Sequence, residues 1–425
     1  MHLLYIFVLL KNIRLNLFYH IGLWLYRLIV RLISPFHAKA ALFNEGHNGL
    51  IFKIKEQITH EKPIVWFHCA SLGEFEQGRP IIEEYRRREP EHNIVVTFFS
   101  PSGYEPKKSI SMAEWVFYLP LDTKRNVRRF LDTVQPVKAI FIKYEFWHNY
   151  LAALKKRKIP TYVVSAIFHP SQPFFKWYGA VFRRILRTFT LIFVQNQESK
   201  ELLRQIDFTN VMVAGDTRFD RVWAQAQIPC TLPMVDAFLR TSHQTVCVAG
   251  STWPQDEALL LQALHVFPSL KLILVPHEVD QHRITSILEH FSAFFPIPYS
   301  RLSQNEKVPE GSRVLVVDTI GLLSSLYRYG TMAYVGGGFG DGIHNILEAA
   351  VYGIPVIFGP RYQRFNEAKA LIQAHGAHSI QTSRELNTQL GIWLAEPQIC
   401  SEAGSVCRAY VENHTGATER ILEQI

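Results

Sequence analysis

Pro63-Ile-Val-Trp-Phe-His-Cys69, followed by Ala70-Ser-Leu-Gly-Glu-Phe-Glu76, decides the fold. The first seven residues are rich in Ile, Val, Trp and Phe and read as a buried strand. Gly73 permits a tight turn, and Glu76–Arg88 then reads as a helix. The alternation continues outward. Asn93–Phe99, Lys138–Lys143, Pro160–Ile167, Thr190–Gln195 and Val211–Gly215 read as strands, with a helix over Trp147–Arg157. Strands alternating with helices predict a parallel sheet covered on both faces. Residues 224–244 break the rhythm with Pro229, Cys230 and Pro233. A second series follows at Thr245–Ala249, Leu270–Pro276, Arg313–Asp318, Met332–Gly336 and Pro355–Phe358. The reading is an α/β protein of two Rossmann-like domains, residues 41–225 and 240–425. They are expected to face each other across a cleft, with ligands at the carboxyl ends of the strands.

Composition agrees. The chain has 425 residues, 48% hydrophobic and 19% charged, which excludes a disordered, collagen-like or coiled-coil protein. Its five cysteines (Cys69, Cys230, Cys247, Cys400 and Cys407) form no C-x-x-C pair. That argues against a disulfide framework or zinc ribbon and fits a reducing compartment. The net charge is +8, and Lys11, Arg14, Arg27, Arg31 and Lys39 all precede the first acid, Glu45. Segment 1–40 is therefore expected to associate with an anionic membrane surface. Leu3–Leu10 is too short to span a bilayer. Residues 15–33 are mostly apolar, but Arg27 and Arg31 each cost roughly 2.5–3.5 kcal/mol at the bilayer centre. An interfacial helix is favoured over a span; the plainer alternative is a buried helix of the first domain. No small-residue cleavage site marks a signal peptide. Nucleic-acid binding is not expected, because no basic–aromatic stripe, finger spacing or RNP motif occurs.

Several segments can carry chemistry. Glu74 stands at a helix start beyond a strand's carboxyl end, where it is a general base or the second half of a Ser71-x-x-Glu74 capping box. Glu145, before Trp147, either hydrogen-bonds a substrate or sits at a helix start. Arg218 either meets a phosphate or pairs with Asp220 on the surface. Val335-Gly-Gly-Gly-Phe-Gly-Asp-Gly-Ile-His-Asn-Ile-Leu-Glu348 reads as a strand, a glycine-rich loop and a helix, an arrangement suited to an anion. Ser251 and Thr252 are weaker phosphate candidates, and Pro276-His277 can frame a flat base. No Asp-x-Asp occurs, nor a His pair with a third ligand, so no metal is expected.

Together, Ala70-Ser-Leu-Gly-Glu74, Glu145-Phe-Trp147, Gly215-Asp-Thr-Arg-Phe-Asp220, Gly250-Ser-Thr252, Asp318-Thr319 and His344-Asn-Ile-Leu-Glu348 resemble the 3-deoxy-D-manno-octulosonic acid (Kdo) transferases of lipopolysaccharide biosynthesis. The resemblance runs in order over nearly the whole chain. It implies a GT-B glycosyltransferase at the cytoplasmic face of the inner membrane. Such an enzyme moves Kdo from CMP-Kdo to a lipid A precursor with inversion, and without metal or cofactor. It implies Glu74 as general base and Glu145 and Arg218 as transition-state stabilisers. It also implies CMP binding by Pro276 and His277, by Ile320, Gly321 and Leu322, and by Asn345, Ile346, Leu347 and Glu348. Tyr144, Ser165-Ala-Ile167 and Arg218 depart from the family pattern. The rival expectations are a GT-B enzyme using a UDP-sugar and a non-catalytic membrane-bound glycolipid- or nucleotide-binding protein.

Overall fold

The computed structural model describes residues 19–239, 245–303 and 307–425. The chain forms two compact units. One comprises residues through Arg221 together with Gly416–Ile425; the other comprises Val222–Thr415.

The first unit holds seven strands: β1 (Ile64–Cys69), β2 (Asn93–Phe98), β3 (Trp115–Tyr118), β4 (Lys138–Ile142), β5 (Thr161–Ala166), β6 (Leu191–Val194) and β7 (Val211–Val213). Their order is β3-β2-β1-β4-β5-β6-β7, with every neighbouring pair parallel. β1 is buried along its whole length because helices cover both faces. Its side chains alternate between two cores. Trp66 packs with Val95 and Phe141, while Val65 and Phe67 pack with Ile140 and Ile142.

The second unit holds β8 (Thr245–Thr252), β9 (Leu270–Pro276), β10 (Ile297–Pro298), β11 (Val314–Val316), β12 (Met332–Val335), β13 (Val356–Phe358) and β14 (Ala377–Ser379). The order is β10-β11-β9-β8-β12-β13-β14, again parallel throughout. Each sheet is thus a doubly wound Rossmann-like sheet with one strand added. β3, β10 and β14 were not among the expected strands.

The second unit ends at Thr415, whereas the sequence reading carried it to residue 425. The cause lies in the first unit. Asp220 accepts the Gly416 N–H at 2.5 Å, the Thr418 N–H at 2.6 Å and the Thr418 hydroxyl at 2.7 Å. This anchors the helix Ala417–Leu422, and Ile421 and Leu422 join the core around Val65 and Phe67.

Residues 19–33 are helical, and no helix among the described residues is long and apolar enough to cross a membrane. One edge of this helix packs on the unit: Val30 lies with Ala40, Phe43 and Leu121, and the Tyr19 hydroxyl donates to Asp122 at 2.5 Å. Elsewhere its apolar side chains meet solvent, with Trp24 62% and Leu32 65% exposed. Leu3–Leu10 and the start of segment 15–33 lie outside the described residues.

Candidate active site

β1 and β4 are neighbours in the first sheet, so the segments leaving their carboxyl ends lie side by side. After β1 the chain turns at Ala70-Ser71 into the helix Leu72–Arg88. The Ser71 N–H donates to Glu74 Oε2 at 3.1 Å. Glu74 therefore does cap the helix, through one carboxylate oxygen. Its pKa is raised, first by burial and then by the nearby Glu145 charge. The structure thus brings these two candidate residues together.

Glu145 follows β4 and a left-handed Lys143 (φ 69°). Its Oε2 accepts the Trp147 indole N–H at 2.7 Å and lies 3.1 Å from His68 Nε2. His68, on β1, is fully buried. Its Nδ1 lies 3.1 Å from the Thr97 carbonyl oxygen and 2.9 Å from the Thr97 hydroxyl. The Thr97 hydroxyl accepts the Trp66 indole N–H at 2.8 Å and donates to Nδ1, which leaves Nε2–H to donate to the Glu145 carboxylate. The Trp147 N–H, which donates to Glu145, lies 3.0 Å from the same nitrogen. His68, Thr97 and Trp147 thus form a buried frame for one oxygen of Glu145. Sequence reading placed His68 only as a strand residue. Its polarity within an apolar strand was the available signal.

Arg218 binds Asp216, through Nε at 2.8 Å and Nη2 at 2.7 Å, while Asp220 is engaged by the C-terminal helix. β7 stands four strands from β1 in the sheet. Even so, the start of the helix Thr217–Gln227 docks on the Glu74 helix, where the Thr217 hydroxyl donates to the Gln77 carbonyl at 2.5 Å.

In the second unit, the Trp253 ring stacks on His277 at 4.8 Å between centroids, and His277 stacks on His344 at 4.5 Å. Burial, then the neighbouring His277, pushes the His344 pKa down to about 4. The three rings rise from the ends of β8 and β9 and from the loop after β12. Buried Asp256 fixes two of these segments. Its Oδ2 accepts the Trp253 and Gly337 N–H groups at 2.9 and 3.1 Å, and Tyr334 donates to Oδ1 at 2.7 Å. Asp256 was not among the candidate residues.

The glycine-rich loop differs from its expected form. The helix after it is one turn, Leu347–Ala350, too short for a substantial dipole. Several loop N–H groups are also consumed internally: Gly337 by Asp256, Gly340 and Gly342 by the Gly337 carbonyl, and His344 by the Gly336 carbonyl. The glycines serve close packing. A Cβ on Gly336 would meet the Ser251 carbonyl oxygen at 2.3 Å, and one on Gly338 would meet the Gly359 backbone at 2.6 Å.

The remaining candidates divide. Asn345 donates to Glu348 Oε1 at 3.1 Å and accepts the Leu347 N–H at 3.2 Å. Ile346 and Leu347 are buried, whereas Ile320 is 84% exposed beside left-handed Gly321 (φ 92°) and half-buried Leu322. Pro276 closes β9, and the His277 N–H donates to the Thr252 carbonyl at 3.0 Å. Thr252 is buried and its hydroxyl donates to Glu257 at 2.9 Å, so that hydroxyl is committed inside the unit. Ser251 is partly exposed and left-handed (φ 53°).

A family model described as 3-deoxy-D-manno-octulosonic-acid transferase (kdotransferase) matches residues 48–221. The chain is 31% identical over 344 residues to a 3-deoxy-D-manno-octulosonic acid transferase of Aquifex aeolicus, covering 79% of this chain and 87% of that one. It is 26% identical to the transferase of Rickettsia felis, covering 88% and 80%. The fold is the GT-B type. It is similar to a UDP-GlcNAc 2-epimerase from Neisseria meningitidis, with a TM-score of 0.58 at 14% identity, covering 85% of this chain and 98% of that one. Sequence kinship over most of both chains, with paired carboxylates on a doubly wound sheet, places this chain in the 3-deoxy-D-manno-octulosonic acid transferase family, as a glycosyltransferase.

Proposed function

We propose that the protein transfers Kdo from CMP-Kdo to a lipid A precursor with inversion at the anomeric carbon, releasing CMP, at the cytoplasmic face of the inner membrane. The observation that carries the reading is the half-buried Glu74 carboxylate beside Glu145 at a strand's carboxyl end. A sugar hydroxyl is too weak an acid to attack unaided, and Glu74 takes its proton as the new bond forms. A raised pKa makes Glu74 a better proton acceptor than an ordinary glutamate. Arg218, oriented by Asp216, meets the charge that develops on the departing phosphate. The Trp253–His277–His344 stack offers a flat surface to the cytosine ring, and Asn345 and Glu348 face the ribose. Ile320, Gly321 and Leu322 complete the nucleotide contacts.

The deciding experiment incubates purified protein with CMP-Kdo, or with UDP-sugars, and a tetraacylated lipid A precursor, and reads product mass. A mass gain from CMP-Kdo alone is expected; transfer from a UDP-sugar would overturn the donor assignment. The mechanism routes no step through a metal, so turnover in excess EDTA is expected to stay within about twofold of the untreated rate. Loss of turnover that magnesium or manganese restores would overturn it.

Membrane association is assigned to the basic, apolar start of the chain. Deleting residues 1–33 would also remove the Tyr19 bond to Asp122, so substitution is the cleaner test. Trp24→Ser, Leu28→Ser and Leu32→Ser together are expected to lower vesicle partition by at least roughly 100-fold, from the apolar burial lost. CMP-Kdo affinity should hold, and unchanged partition would show that this face does not meet lipid.

A further inference from the structure

A groove of about 770 Å³ opens on the first unit, away from the carboxylate pair. Its walls are the helix 19–33, the helix Leu50–Gln57, Pro120-Leu121 and the helix Lys124–Val134. Arg27, Lys55 and Arg129 all line it. Their side chains are exposed, and none has a hydrogen-bond or ion-pair partner among the described residues. The acid in the wall, Asp132, is bound to Arg157 at 2.6 Å. Three like charges around one concave surface repel unless an anion lies among them.

His47, also in the wall, points the same way. Its Nδ1 lies 2.8 Å from the Phe43 carbonyl oxygen and its Nε2 lies 3.1 Å from the Leu119 carbonyl oxygen. Carbonyls only accept, so both contacts are hydrogen bonds only when the ring is an imidazolium. Burial works against that charged form, and so does Arg27 to a smaller extent. An anion in the groove supplies the missing counter-charge.

We propose that this groove binds the phosphate headgroup of an anionic bilayer lipid, with Arg27, Lys55 and Arg129 as its cationic contacts. Charge complementarity selects the phosphate. The apolar surroundings select a lipid over a free anion: Phe52 in the wall is 65% exposed, and Phe36, just beyond the helix 19–33, is 91% exposed. The headgroup sits among the cations while its acyl chains run beside these side chains. Lipid contact thereby acquires headgroup selectivity, which a uniformly basic surface does not give.

The inference rests on the membrane-association reading, and one experiment separates the two. Full-length protein is sedimented with phosphatidylglycerol or phosphatidylcholine vesicles at fixed ionic strength. The variant Arg27→Gln/Lys55→Gln/Arg129→Gln is compared with Lys307→Gln/Lys369→Gln/Arg384→Gln, which removes the same charge from the second unit. The groove variant should lose on the order of 100-fold in phosphatidylglycerol partition, about fivefold per cation. Its phosphatidylcholine partition and melting temperature should hold, and the second-unit variant should lose far less. Equal losses in the two variants would reduce the groove to bulk charge and overturn the proposal. So would displacement by millimolar inorganic phosphate, which would make it a simple anion site. Failure of the unmodified protein to bind either vesicle would overturn the membrane reading itself.

Discussion

Glu74→Gln is expected to lower turnover by roughly 10²- to 10⁴-fold, the usual worth of a general base. Stability should not fall with it. Gln still presents an oxygen to the Ser71 N–H, so the cap survives. The sign of the electrostatic effect also favours the variant. An acid whose pKa is raised on folding binds its proton more tightly when folded, so its ionisation at neutral pH costs stability. Gln removes that cost, and the melting temperature at pH 7 should be equal or higher. Binding of CMP-Kdo should stay near wild type. The pH profile supplies a second check. Glu74 works only as the carboxylate, so kcat/KM should rise with pH through a limb above the ordinary glutamate range. Glu145→Gln removes the second cause of that shift, and the limb should move to lower pH in the residual activity. A stable, active Glu74→Gln enzyme would show that the proton goes elsewhere.

The second large effect is expected at His68, which touches no substrate in this reading. His68→Leu leaves the Glu145 oxygen held by Trp147 alone and the Thr97 hydroxyl without its His68 partner. A buried polar group left unsatisfied costs about 1–3 kcal/mol, so the melting temperature should drop. A displacement of about 1 Å in a catalytic group costs on the order of 10²-fold in rate. A positioning role predicts that kcat falls by roughly that factor while KM for CMP-Kdo barely moves. It also predicts that His68→Asn recovers part of kcat, since its amide can still hydrogen-bond the Thr97 hydroxyl. If both variants lose stability but keep kcat, His68 is only a core residue.

The parallel sheets were legible because strands covered on both faces must be apolar throughout. Val65-Trp-Phe67 and Ile140-Phe-Ile142 show this directly. β14 was not, since Ala377-His-Ser379 has neither length nor apolar character. Glu74 and Glu145 were legible because each closes a local strand-to-helix turn. The frame that holds Glu145 was not. His68, Thr97 and Trp147 come from three separate segments, and only the pairing of β1 with β2 and β4 brings them together. Arg218 shows a related limit. Asp216 and Asp220 are both local to Arg218, and what Asp220 does is decided by a helix N-terminus that arrives 196 residues later.

That late arrival bears on the order of synthesis. A nascent chain grows from its N-terminus, so all seven strands of the first sheet emerge well before Ile421 and Leu422, which pack against β1. Until then one core lacks two of its side chains, and Asp220 has neither Gly416 nor Thr418 to bind. The first unit therefore cannot complete its native contacts until residues 416–422 have emerged, although its sheet can form. Its last step is a long-range closure that waits for Gly416–Ile425, with the entire second unit made in between. Translation must run past the helix Ala417–Leu422 before the half of the molecule that carries Glu74 is finished, so a chain cut before Gly416 leaves that half incomplete.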